Sequence, residues 1–237
     1  MHFPAGAAGN RLRGALGKNL KAISEEAYAR WFAPSSLAGP SGLHDRPRPF
    51  VLRAAHLEGA AIPAGGDFWL ALNVFDPRAE PDLARAMAQF ASLGSIRREN
   101  LQLSFEPDRA TRVRLRFVTP AELKGGSAAN FAVLWRRVRD RISTLRALYG
   151  AGPLPIDFRA TAERAARIRN TRCELTGIAA ERLSRSTGQR HSIGGFVGIA
   201  EYEGDLGEFV PYLQIAQHTG VGRQTVWGKG EIRVETF

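Results

Sequence analysis

Cysteine is nearly absent from this sequence. Cys173 stands alone, so no internal disulfide can form and no cysteine-rich zinc site can be assembled. Long apolar runs are missing as well: no stretch approaches the roughly 18 consecutive apolar residues that a membrane helix requires. Residues 1–10 hold no apolar segment of signal-peptide length. These absences point to a cytoplasmic protein in a reducing compartment. No cluster of potential ligands predicts a bound metal, and no cofactor is expected.

The chain that remains has 237 residues, 44% of them apolar, enough for one large packed domain or two small ones. Its net charge is +10, and the distribution is uneven. Residues 1–108 carry 12 basic and 11 acidic side chains, residues 109–190 carry 18 and 6, and residues 191–237 carry 3 and 6. The middle segment therefore holds the whole excess. A concentrated cationic face attracts polyanions, of which nucleic acid is the commonest. A coding bias toward arginine explains the same composition, since 29 of the 33 basic residues are Arg.

Hydrophobic periodicity describes two passes of one pattern. In the first, Leu12, Leu16, Leu20 and Ile23 recur at helical spacing over 9–23, and a Pro/Gly-rich loop covers 34–47. Strands follow at 50–54 and 68–74, then a helix at 81–92 and a strand carrying Leu101, Leu103 and Phe105. In the second, Val113, Leu115 and Phe117 alternate with Arg112, Arg114 and Arg116, a strand with one apolar and one basic face. A helix is expected at 130–149, strands near 168–178 and 193–202, a helix at 205–217 with Pro211 in its first turns or at its end, and a last strand at 225–237. Strand, helix, strand, strand, helix, strand is a ferredoxin-like unit. The expected fold is α+β: two tandem ferredoxin-like (βαββαβ) domains, 1–108 and 109–237, the first without its opening strand. Either the protein starts upstream of Met1, or the N-terminal sheet is incomplete or borrows a strand.

The segment GVGRQTVWGKG at 220–230 is the densest glycine run beside basic residues. Such turns expose backbone N–H groups to phosphate. It is not a P-loop, because Arg223 occupies the first glycine position and Gly230 follows Lys229. Nor is it a dinucleotide fingerprint, because Thr225 stands at the third glycine. Taken alone it reads as a structural turn.

Further segments give it context. RGALG at 13–17, RPFVL at 48–52, FVTPAELK at 117–124, IGGFVGIAEY at 193–202 and FVPYL at 209–213 precede the glycine run in that order. Together the six resemble the CRISPR-associated precursor-crRNA processing endoribonucleases of the RAMP (repeat-associated mysterious protein) superfamily and cover most of the chain. A cysteine-containing insertion found in many relatives before the Arg-Pro-Phe strand is lacking.

The resemblance implies binding of CRISPR repeat RNA and its metal-independent cleavage by the ribose 2′-OH, leaving a 2′,3′-cyclic phosphate. It places a catalytic histidine in the loop after the first helix, where His44 lies. A surface histidine in a polar loop is the alternative. Tyr28 reads either as an assisting hydrogen-bond donor or as a core aromatic. For RNA binding the candidates are Arg112, Arg114 and Arg116 on one strand face, and Arg182, Arg185, Arg190 and His191 in one basic run. To these are added His218, which otherwise reads as a helix cap, and Gly220, Gly222, Arg223, Gly228, Lys229 and Gly230 of the glycine turn. The partner implied is precursor crRNA, with other CRISPR effector subunits if the chain is a non-catalytic relative.

Overall fold

The computed structural model describes residues 1–33, 46–89, 94–179, 181–183, 190–192 and 194–237, with the backbone alone at 181–183 and 190–192. The chain divides into two compact units, 1–103 with 143–153 and 104–142 with 154–237. Among the described residues no helix is long and apolar enough to cross a membrane.

The first unit opens with α1 (Ala8–Ile23) and α2 (Glu25–Phe32). The helix expected over 9–23 is α1, and Ser24 starts a second that the sequence pattern did not show. Its extended backbone (φ −167°, ψ 151°) ends α1, and its Oγ accepts the Ala27 N–H at 2.9 Å to cap α2, a device worth about 1 kcal/mol. Leu16 and Leu20 of α1 bury against Trp31 and Phe32 of α2 and Phe50 of β1 (Phe50–Arg53). β1 pairs antiparallel with β2 (Ala71–Val74), and α3 (Glu80–Ala88) follows, with Pro81 in its first turn.

The strand expected at Leu101–Leu103–Phe105 does not form. All three side chains are exposed, by 56, 43 and 37%, and the segment joins no sheet among the described residues. The second unit explains why.

There β3 (Arg112–Ala121) leads to α4 (Phe131–Tyr149), whose last residues, from Ser143, count with the first unit. Then come α5 (Phe158–Ala165), β4 (Arg169–Ile178), the short hairpin β5 (Glu181–Leu183) and β6 (Arg190–Ser192), β7 (Gly195–Glu203), α6 (Val210–Thr219) and β8 (Ile232–Thr236). The four long strands form an antiparallel sheet in the order β4-β7-β3-β8, which is the ferredoxin-like order. The closing strand of this topology touches only the opening one. Among the described residues of the first unit no opening strand precedes α1 to receive a closing one; its sheet is the β1–β2 hairpin, with an isolated antiparallel bridge between His2 and Ala61.

In the second unit Val113, Leu115 and Phe117 face a core of Phe131, Leu134, Trp135, Tyr202 and Phe209. Each such side chain contributes roughly 1.5–3 kcal/mol by leaving water. Pro211 lies in the first turn of α6, where its missing N–H costs nothing. α5 has no clear apolar stripe in sequence; it is started by Asp157, whose Oδ1 accepts the N–H groups of Arg159 and Ala160 at 2.9 Å.

Candidate nucleic-acid interface

The glycine-rich bend between α6 and β8 is stitched to the end of β3. The N–H of Arg223 donates to the Glu122 carbonyl and that of Gly230 to the Pro120 carbonyl, at 3.1 and 3.0 Å. Thr119 Oγ1 donates to the Gly228 carbonyl and accepts the Glu231 N–H, both at 2.9 Å. The glycines serve this packing. A Cβ on Gly222 (φ +82°) would stand 2.3 Å from the Glu122 carbonyl oxygen, and one on Gly230 (φ +66°) 1.9 Å from that of Val221.

The basic residues of the bend are also engaged. Lys229 is buried, and its Nζ donates to the Gly194 carbonyl at 2.6 Å and to Gln224 Oε1 at 3.1 Å. Burial pushes this ammonium below the ordinary lysine range, with Glu122 pulling back up. Arg223, largely exposed, pairs with Glu122 at 2.9 Å. The bend therefore presents a fixed backbone surface with Arg223 at its rim.

On the outer face of the sheet, Arg112, Arg114 and Arg116 stand in a row, as their alternation requires. Opposite them lies Glu201 on β7, its side chain only 3% exposed. Arg112 reaches it at 2.6 Å, Arg114 at 2.8 Å and Arg172 of β4 at 3.5 Å. The hydrogen bonds from Arg112 and Arg114 hold the carboxyl down at about 2. Arg114 also pairs with Glu235, and both Arg112 and Arg114 lie over the Phe237 ring, at 5.8 and 5.4 Å. Arg116 differs. It is exposed, forms no ion pair among the described residues, and sits beside Ile199 and Arg233 in register, three residues before Thr119, where the stretch that holds the glycine bend begins. Among the described residues, the cation of the row without an ion pair thus lies at the end next to the bend.

With this arrangement in hand, comparison with known proteins is decisive. Residues 115–232 match the family model described as CRISPR-associated endoribonuclease Cas6. The chain belongs to the Cas6 family. A search among curated proteins returns no match. Among solved structures, a Cas6 product complex is 18% identical, covers all of this chain and 95% of its own, and has a TM-score of 0.61. Thermus thermophilus Cas6 is 17% identical over 94% of this chain and 89% of its own, at 0.57. The product of a Cas6-related gene from Pyrococcus furiosus is 10% identical over 99% and 93%, at 0.52. These likenesses show the tandem ferredoxin-like α+β fold.

The Cas6 match runs from Leu115 through the glycine bend to Ile232, so it includes Arg116, Arg172, Glu201 and the bend, while Arg112, Arg114 and Glu235 lie just outside it. The other residues expected to act lie elsewhere. His44 and Arg185 fall outside the described residues. Arg182, Arg190 and His191 sit on the β5–β6 hairpin, where Arg182 pairs with His191 in register. His218 is half-buried in the last turn of α6, which Gly220 closes. Tyr28 packs on the first unit's core with its ring stacked on Phe32 at 5.5 Å. Sequence reading missed Glu201 and Arg172. The period-two acidic pattern Glu201, Glu203 was visible, but which strand it opposes depends on sheet order. Among the described residues no three His, Cys, Asp or Glu side chains gather as metal ligands.

Proposed function

We propose that this Cas6-family chain binds CRISPR repeat RNA and processes precursor crRNA as a metal-independent endoribonuclease. The observation that carries this reading is the family match over the βαββαβ unit and its glycine bend. The occurrence of a Cas6 product complex among the structural neighbours supports an RNA ligand. Two ferredoxin-like domains, 1–108 and 109–237, would each contribute: the first the catalytic loop, the second the basic surface.

In the proposed reaction the ribose 2′-oxygen bonds to the adjacent phosphorus and the P–O5′ bond breaks. The 2′ proton goes to a base, and a proton is delivered to the departing 5′ oxygen. His44 is assigned as the base, with Tyr28 as an assisting hydrogen-bond donor. A positioned base or acid contributes roughly 10²–10⁴-fold, and arginines stabilise the charge of the phosphorane. Arg116 and the bend from Gly220 to Gly230 hold the RNA backbone, with Arg182, Arg190 and His191 of the hairpin, Arg185 and His218 as further contacts.

The two-stranded sheet of the first unit favours a second reading, a non-catalytic RAMP-fold subunit that holds RNA beside other CRISPR effector subunits. Incubation with the cognate repeat RNA in EDTA separates the two. Cutting at one site, abolished by His44→Ala, is expected; tight binding without cutting makes the chain a non-catalytic subunit. Equal affinity for any polyanion overturns both.

A further inference from the structure

The first unit contains a cationic cluster that the glycine bend and the sheet face do not account for. The polypeptide entering β1 carries Arg46 and Arg48, and the turn before α3 carries Arg78. All three are gathered about Tyr149 at the end of α4. The Tyr149 hydroxyl donates to the Pro47 carbonyl, which fixes the entering strand against the ring. Arg46 lies over that ring, its Cζ 5.6 Å from the centroid. Arg48 Nε donates to the Phe32 carbonyl at 3.2 Å, which orients its guanidinium. Burial raises the phenol's pKa and the negative charge of Asp76 adds to it, while the charges of Arg46 and Arg48 and a hydrogen bond from Arg46 act against it. Tyr149 acts in turn on Arg78, so all three cations are within electrostatic reach of one ring.

Among the described residues the charges about the ring do not balance. Arg78 forms a two-pronged pair with buried Asp76, at 2.8 and 3.0 Å. Among the described residues Arg46 and Arg48 form no ion pair, and Arg46 Nε is buried with no acceptor. Partly buried guanidinium groups without a carboxylate are costly unless an anion completes them. Their planar forks match a phosphodiester better than a point charge does.

We propose that Arg46, Arg48 and Arg78, collected about Tyr149, form a second RNA-binding site, which takes a backbone phosphate of the repeat. This rests on the reading of the chain as an RNA-binding protein. The Tyr149 hydroxyl ties the segment that carries Arg46 and Arg48 to α4.

Binding of the full chain to its repeat RNA, measured against salt concentration, tests the site. Each phosphate contact to single-stranded RNA contributes about 0.7 to the log–log slope. Arg46→Gln is expected to make the slope shallower by about 0.7 and to weaken binding roughly fivefold at about 0.1 M salt. A slope unaltered in a folded Arg46→Gln protein overturns the site while leaving the RNA reading intact. Failure of the wild-type chain to bind RNA at all overturns both. Arginine modification of the wild-type chain by phenylglyoxal, mapped by mass spectrometry, needs no variant to fold: Arg46 protected by repeat RNA supports the site, and equal modification with and without RNA overturns it.

Discussion

Lys229 Nζ lies 2.6 Å from the carbonyl oxygen of Gly194, tying the glycine-rich bend to the residue that leads into β7. A lysine that reads in sequence as an exposed phosphate ligand thus acts as an internal clamp between two segments of the proposed interface.

Replacing it exposes that role. Lys229→Met leaves the Gly194 carbonyl without its partner and is expected to lower stability by about 1–3 kcal/mol in urea unfolding. The pH dependence follows from the lowered folded pKa. Below that pKa the folded state carries a desolvated charge, so this group's contribution to stability rises as pH climbs through the folded value toward the unfolded one. Unfolding measured at alkaline pH should show that rise in the wild type and its loss in Lys229→Met.

Glu201 gives the opposite sign. Its folded pKa of about 2 lies below the ordinary 4.5. Its stabilising contribution is complete above the ordinary value and is lost as pH falls to about 2. Urea midpoints followed into acid should fall steeply for the wild type and more gently for Glu201→Gln, which carries no titrating carboxyl. Equal acid sensitivity would show that the three-arginine cluster contributes nothing at neutral pH.

Two glycines with contrasting surroundings make a matched pair. Gly230→Ala places a Cβ 1.9 Å from the Val221 carbonyl oxygen at φ +66° and should cost more than the roughly 1–3 kcal/mol of a strained residue, because backbone must move. Gly14, exposed in α1 with nothing within 4 Å of a Cβ, should gain about 0.5–1 kcal/mol as alanine. Thermal melts of the two variants are expected to shift in opposite directions.

The arginine row separates into engaged and free members. Arg116→Gln is expected to reduce the salt slope of RNA binding by about 0.7, whereas Arg114→Gln changes it less, since the Arg114 charge is already shared by Glu201 and Glu235. Equal effects at both positions would mean that RNA displaces the carboxylates.

The long strands and α4 of the second unit were legible beforehand, while α5 and the β5–β6 hairpin were not and the last strand, expected from 225, begins at Ile232. Arg112–Phe117 alternates because one face is core and the other solvent, and the apolar stripe of α4 has helical period; both are local consequences of side-chain direction. The first helix was legible to its end at Ile23, whereas α2, eight residues started by the Ser24 cap, was not, because so short a segment shows little period. The strand at 101–105 was misread for a different reason. Alternation states that a segment can be a strand, not that a neighbour exists to pair with it.

The residue order alone determined the ferredoxin-like pattern, the concentration of positive charge and the family likeness, since periodicity, composition and motif order all lie along the chain. Only the tertiary structure decided which cations remain available. Pairing Arg112, Arg114 and Arg172 with Glu201, burying Lys229 and assembling Arg46, Arg48 and Arg78 about Tyr149 all join residues far apart in sequence. A charge's partner is set by which strands and turns become neighbours, and sheet order, not sequence spacing, sets that.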